Sequence, residues 1–262
     1  MMAAVPPTGP ISHLKGSTFR AQNGEDRWLH DFFGGKSTGY FVDVGAYDGV
    51  DLSNSYHFEQ IGWTGILVEP DPDRARACAA SRPHSKTFQC AAVDSVETGE
   101  ICFHRAAAGV YSTTNLTPDH ERRLAGMGMA TEEIRVPART LDSMLIEAGA
   151  TQVDFVSIDV EGAELAVLRG FDIDRWSPQV VIVESNTKHR AKEIRDYFVA
   201  HGYAYCDTID VNDFYCRAET GRLGVWLLDR VRYSRHRVQR RVSRIAGNLR
   251  RSWRKRFGGR SN

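Results

Sequence analysis

The sequence predicts an α/β domain, a mostly parallel twisted sheet with helices on both faces. Three observations point there. Short apolar runs alternate with stretches of helical periodicity along most of the chain. One run, Tyr40-Phe41-Val42-Asp43-Val44, breaks on an acid-x-Gly-x-x-x-Gly turn from Asp43 to Gly49. About twenty residues later a second run, Ile66-Leu67-Val68, ends in Glu69. Such domains build nucleoside pockets this way. A glycine turn lets the ligand approach the backbone, and the next strand ends in a carboxylate that can accept from both ribose hydroxyls.

The elements follow in order. Residues 41–44 form the first expected strand. Residues 53–61 form the first helix, with Tyr56, Phe58 and Ile61 toward the sheet. Residues 66–69 are the second strand. Asp71 then caps a helix to about Ser81, because proline follows in the first turn and acids suit a helix start. Residues 87–93 read as the third strand and residues 100–104 as a candidate extra strand. The Gly/Ser/Thr/Asn-rich residues 106–117 read as a long loop. Residues 134–137 look extended, and residues 140–148 form a short helix capped by Thr140. Residues 153–158 are the fourth strand, between Asp154 and Asp159. A helix over 163–169 closes on Gly170. Residues 180–183 form the fifth strand, ending at Glu184, and a helix over 191–201 closes on Gly202. Residues 203–206, 214–216 and 225–228 supply closing strands.

The 262 residues give room for one large α/β domain with appendages. No apolar run approaches the roughly 20 residues a membrane span needs. Residues 1–18 lack a basic start and an apolar core, so they read as a loose leader. Five cysteines are an odd number, and none are spaced Cys-x-x-Cys. Neither a disulfide framework nor a zinc site is expected, and a reducing cytoplasm fits. Thirteen of the 34 Lys/Arg and none of the 33 Asp/Glu lie from Arg230 onward, leaving the preceding body at net −12. The domain is expected over 19–228 and a basic tail over 229–262. In that tail Val238, Val242, Ile245, Leu249, Trp253 and Phe257 form one apolar helical stripe, which suits an anionic membrane surface better than nucleic acid. A solvated extension is the plainer reading of the same stretch.

Two constellations carry the chemistry. The first is the glycine turn with Glu69. It comes without a Gly-x-Gly-x-x-Gly and without a Walker lysine, so no phosphate cradle is present. S-adenosylmethionine is a ligand of the fitting kind, a nucleoside bearing a cationic sulfonium. The second is Asp159-Val160-Glu161-Gly162-Ala163-Glu164, just beyond the fourth strand, where residues face the ligand crevice. Three acids in six residues require a proton, a cation or a helix N-terminus nearby. Helix capping alone accounts for Glu164. The fifth strand brings Glu184, Ser185 and Asn186 to the same edge. Asp159, Glu184 and Asn186 could hold a magnesium ion. Alternatively a carboxylate among Asp159, Glu161 and Glu184 could act as general base. His189 is a further base candidate, and a surface histidine at a helix start is the simpler account of it.

These residues resemble the FkbM family of S-adenosylmethionine-dependent methyltransferases. The resemblance rests on Gln22-Asn23-Gly24-Glu25-Asp26, Phe41 through Gly49, Ser53-Asn54-Ser55, Gly62 through Pro70, Thr140-Leu141-Asp142-Ser143 and Asp159 through Glu164. It implies a Rossmann-like class I methyltransferase sheet whose last strand runs antiparallel, with methyl transfer to a substrate oxygen. It further implies that Asp43, Gly45, Ala46 and Gly49 shape the methionine end of the cofactor site. Glu69 and Pro70 would hold the ribose, Gln22 and Ser53 would add to the site, and the stretch from Ala92 to Asp94 would meet the adenine. The expected acceptor is a hydroxyl of a glycolipid or polysaccharide sugar. Alternatives are a polyketide-type product, or an adaptor that kept the fold and lost catalysis. The expected location is cytoplasmic, at the inner membrane face if the tail binds lipid. Residues 106–130 and those after Thr187 are expected to build the acceptor pocket.

Overall fold

The computed structural model describes residues 18–95, 99–106, 111–185 and 188–218, without the side chains of Asp119, Lys188 and His189. The leader, the expected strand over 225–228 and the basic tail lie outside the described residues, apart from Thr18. In chain order the elements are α1 (Glu25–Phe32), β1 (Tyr40–Val44), α2 (Tyr56–Gln60), β2 (Thr64–Val68), α3 (Pro72–Ser81), β3 (Lys86–Phe88), β4 (Ala91–Ala92), β5 (Gly99–Ala106), α4 (Pro118–Gly126), β6 (Thr131–Arg139), α5 (Leu141–Glu147), β7 (Phe155–Ile158), α6 (Glu164–Arg169), α7 (Ile173–Trp176), β8 (Val180–Glu184), α8 (Lys188–Ala200), β9 (Tyr203–Ile209) and β10 (Asn212–Arg217).

Seven strands form the main sheet in the order β3-β2-β1-β7-β8-β10-β9. The pairs from β3 through β8 are parallel, and β10 runs antiparallel to both β8 and β9. The strand order reverses beside β1, which is where open α/β sheets leave a crevice at the carboxyl ends of their strands. Strands buried on both faces read as continuous apolar runs. Val42, Val44, Ile66, Val68, Val156 and Ile158 join Leu141, Met144, Leu145, Ile194 and Phe198 in one cluster. Phe41 and Phe155 meet an aromatic group of Phe33, Phe58 and Trp63. Within α2 it is Phe58 that is buried, while Tyr56 and Ile61 are half-buried.

Local signals explain the boundaries. The Asp71 carboxylate accepts from the backbone N–H groups of Asp73 and Arg74, fixing the start of α3. Thr140 caps α5 by accepting from the N–H of Ser143. At the other end of β7, Asp154 accepts from the Tyr40 N–H, from Lys36 Nζ and from Gln179 Nε2, tying three segments together.

Three expectations change. Residues 87–93 are not one strand. β3 ends against β2 at Phe88, and the chain then leaves the main sheet so that β4 pairs with β6. A three-stranded second sheet results, in the order β4-β6-β5. The expected loop over 106–130 contains helix α4, whose Thr117 cap accepts from His120 N–H. Cys206 and Cys216 are joined as a disulfide with Cα atoms 6.1 Å apart, against the expectation of no bridge. The cause is the β10–β9 hairpin. Its register shifts between Phe214 and Tyr215, leaving Cys206 as the extra residue beside the partner strand.

Candidate active site

A cavity of about 330 Å³ opens at the carboxyl ends of β1, β2, β7 and β8, within the size range of small-ligand pockets. The turn after β1 forms its floor. The Gly45 N–H donates to the Val68 carbonyl at 2.9 Å. Its φ is +83°, and a Cβ there would sit 1.8 Å from the Asp159 carbonyl oxygen, so only glycine lets β1 and β7 end this close together. Asp43, on β1, accepts from the Ser55 hydroxyl at 2.6 Å and the Ser53 hydroxyl at 3.2 Å. Burial pushes its carboxyl above the usual range, against those hydroxyls and Arg82.

Glu69 follows β2. One carboxylate oxygen accepts from the Tyr47 N–H and the other from the Asp71 N–H, both at 2.9 Å. The group is thereby held in one orientation, and each oxygen keeps a further lone pair. Burial raises its pKa to about 7.

Beyond β7 and β8 stand Asp159, Glu161 and Glu184, all lining the cavity. Burial pushes Asp159 well up, followed by the charges of Glu184 and Glu161 and a hydrogen bond to Glu184. Asp159 keeps solvent-accessible surface where it lines the cavity. The surrounding protein and the two neighbouring acids penalise its charge even where water can reach it. Glu184 is buried, and its Oε2 has no hydrogen-bond partner among the described residues. Burial and Glu184 raise Glu161 to about 7, against Arg123 at 3.4 Å. Glu161 holds a left-handed backbone, φ +50°, and its carbonyl accepts from Thr113 Oγ1 at 3.0 Å. Tyr47, Leu52 and Asp210 also carry positive φ and also line the cavity. Strained non-glycine backbone concentrates at functional sites.

Of the expected site residues, Gln22, Asp43, Gly45, Ala46, Ser53, Glu69, Pro70, Asp159, Glu161 and Glu184 all line this one cavity. Gly49 and Asp94 do not. Gly49 lies behind the wall, where its carbonyl accepts from Arg82 Nη1 at 2.7 Å. Asp94 follows β4 out into the second sheet, and Cys90, Ala91 and Ala92 line the cavity instead. Glu164 serves its own helix start, accepting from the Gly162 N–H at 2.7 Å. Asn186 and the His189 side chain lie outside the described residues. Among those described, no third His, Cys, Asp or Glu joins Asp159 and Glu184 within ligand distance. Of the expected magnesium set, the described residues contain Asp159 and Glu184.

Glu25 of the Gln22–Asp26 motif also lines the cavity, as do Tyr111, Thr113 and Arg123 from the expected acceptor stretch 106–130 and Asn212 from the residues after Thr187, although the sequence singled out none of them individually. Asn212 Nδ2 donates to Glu25 Oε1 across 187 positions of chain. Only the Gln22–Asp26 motif hinted at this.

A parallel sheet with one reversed strand, a glycine turn after β1 and an acid after β2 defines the class I methyltransferase fold. The methyltransferase FkbM domain matches residues 43–205, and the chain belongs to that family of S-adenosylmethionine-dependent methyltransferases. No curated protein matches the chain. Solved structures similar to it include three methyltransferases. Precorrin-6y C5,15-methyltransferase from Geobacter metallireducens is 9% identical, covering 74% of this chain and 86% of that one, with a TM-score of 0.42. A TehB-like S-adenosylmethionine-dependent methyltransferase from Corynebacterium glutamicum is 9% identical, covering 78% and 90%, with a TM-score of 0.40. TrmK from M. capricolum, bound to S-adenosylhomocysteine, is 11% identical, covering 69% and 62%, with a TM-score of 0.37. None of the three bears on what this chain methylates.

The cavity suits the family's cofactor. Asp43, Glu69, Asp159, Glu161 and Glu184 line it together, with Arg123 as the cationic side chain among its described walls. An acidic, partly dry cleft favours a sulfonium and disfavours a phosphate.

Proposed function

We propose that this chain transfers the methyl group of S-adenosylmethionine to a hydroxyl oxygen of a saccharide, in a glycolipid or polysaccharide. The observation that carries the reading is the trio Asp159, Glu161 and Glu184, gathered at two neighbouring strand ends in the cavity that also holds Asp43 and Glu69. Bound S-adenosylmethionine would supply an electrophilic methyl carbon on a sulfonium. Glu69 would accept from the ribose hydroxyls. Asp43, with Gly45 and Ala46, would face the methionine end, and Gln22, Ser53 and Pro70 would complete that wall. Cys90, Ala91 and Ala92 would flank the adenine.

An alcohol is a poor nucleophile while it keeps its proton, so a base must take that proton as the new bond to carbon forms. Burial and neighbouring charges raise the Asp159 carboxyl and raise Glu161 to about 7, which strengthens both carboxylates as proton acceptors. The deprotonated member of the Asp159–Glu184 pair is the proposed base, and Glu161, braced by Arg123, orients the hydroxyl. Glu25, Asp51, Asp210 and Asn212 offer hydrogen-bonding groups for a hydroxyl-rich acceptor, and Tyr111 offers an aromatic face.

The test is methyl transfer from labelled cofactor to a panel of free sugars, glycolipids and polyketide-type alcohols, with EDTA present. The expected product is a sugar methyl ether. Asp159→Asn and Glu184→Gln should each lower turnover by about 10²–10⁴-fold, as loss of a general base does. Near-normal turnover in both variants would overturn the base assignment. Transfer to a polyketide-type alcohol alone would overturn the sugar acceptor.

A further inference from the structure

The second sheet carries a cluster that methyl transfer does not use. Side chains alternate along β5 and β6. Ile101, Phe103, Ile134, Val136 and Ala138 turn inward and pack together. Cys102 and His104 are left on the other face of β5, and Glu133 and Arg135 on the other face of β6. The antiparallel register sets His104 opposite Glu133 and Cys102 opposite Arg135. One ligand atom each from Cys102, His104 and Glu133 lie within 4.8 Å of one another, and Cys102 Sγ is 3.6 Å from His104 Nε2.

We propose that Cys102, His104 and Glu133 bind a zinc-class divalent cation on the outer face of the second sheet. Zinc bonds of about 2.3 Å to sulfur and 2.0–2.1 Å to nitrogen make a tetrahedral S···N edge of about 3.6 Å, so the two half-buried ligands already stand at the required separation. A thiolate, an imidazole and a carboxylate form a ligand set that zinc and cobalt share, and water would fill the fourth position. A cation between thiolate and carboxylate converts their repulsion into coordination and releases the thiol proton to solvent. The site is distinct from the active site but is joined to its wall. His104 exchanges both backbone hydrogen bonds with Thr113, at 2.9 and 3.1 Å, and Thr113 lines the cavity. Metal on His104 would therefore brace the segment that supports Glu161.

The competing explanation is a purely hydrogen-bonded trio, with the thiol donating to Glu133. Titration of the full-length, EDTA-dialysed protein with cobalt(II) chloride separates the two. The expected result is one equivalent bound with a sulfur-to-cobalt charge-transfer band in the near ultraviolet, removed by stoichiometric zinc. Cys102→Ser should abolish the band. Glu133→Gln, at an exposed position, should weaken zinc binding in calorimetry by more than the roughly 10–100-fold that losing an outer supporting residue costs. No band in the wild-type protein, or a band that survives Cys102→Ser, would overturn the proposal. Unchanged zinc affinity in Glu133→Gln would do the same.

Discussion

In the proposed reading, cofactor recognition turns on Glu69. It is buried, its orientation is fixed by two backbone N–H groups, and burial raises its pKa to about 7. Hydrogen bonds to a charged carboxylate contribute about 1.5–3 kcal/mol. Glu69→Gln should therefore raise the dissociation constant for S-adenosylmethionine by about ten- to a hundredfold, read by calorimetry. Gly45 makes a structural demand beside it. Gly45→Ala meets the Asp159 carbonyl and a positive φ at once. Strained backbone alone costs about 1–3 kcal/mol, so urea denaturation should show at least that loss. The sequence made these residues legible because strand ends and glycine turns have a fixed place relative to the crevice. Gly49 and Asp94 fall outside the cavity lining, because spacing does not say which turn residues face inward. It gave Glu25 and Arg123 no individual role because they arrive from distant segments. The Cys206–Cys216 bridge escaped because it depends on a hairpin register that no spacing rule encodes.

At the scale of elements, long apolar runs and capping residues were readable, and short pairings were not. Asp71 and Thr140 announced α3 and α5 through their own hydrogen-bonding chemistry. The break between β3 and β4 was invisible, because an unbroken apolar run reads as one strand whichever sheet each half joins. α1, α4 and α7 were overlooked. α7 spans only four residues, too few for periodicity to speak. The element that holds the cofactor turn in place is the end of α3. Fully buried Arg82 reaches Glu59 of α2 at 2.9 Å, the Gly49 carbonyl at 2.7 Å and Ser55 Oγ at 3.1 Å. Removing one partner of a buried ion pair costs about 3–5 kcal/mol. Arg82→Leu should lose about that much stability in denaturant titration and loosen the turn that carries Gly45.

For the whole molecule, the crowded acids make stability depend on pH. Glu69 and Glu161 have folded pKa values of about 7, above their unfolded values. Their neutral forms therefore stabilise the fold at low pH, and that contribution is lost as pH rises through about 7. His57 acts the other way below its ordinary range, since burial lowers its pKa to about 4. The ligand-free melting temperature should thus fall from about pH 5 to about 7, most cleanly above pH 6.5 where His57 no longer offsets it, and should level off beyond; Glu161→Gln should flatten that slope. No helix among the described residues is long and apolar enough to cross a membrane. The sequence expectation of a lipid-binding basic tail over 229–262 is tested by sedimentation: anionic liposomes should co-sediment the full chain but not a version ending at Asp229. Equal sedimentation of both would remove lipid from the account. The central claim, that the acidic cleft between Asp43, Glu69 and Asp159 receives S-adenosylmethionine, is tested most directly by titrating the cofactor into the intact protein and into Glu69→Gln. The account predicts saturable one-to-one binding that the substitution weakens by tenfold or more. Equal affinity in the two proteins, or no binding to either, would contradict it.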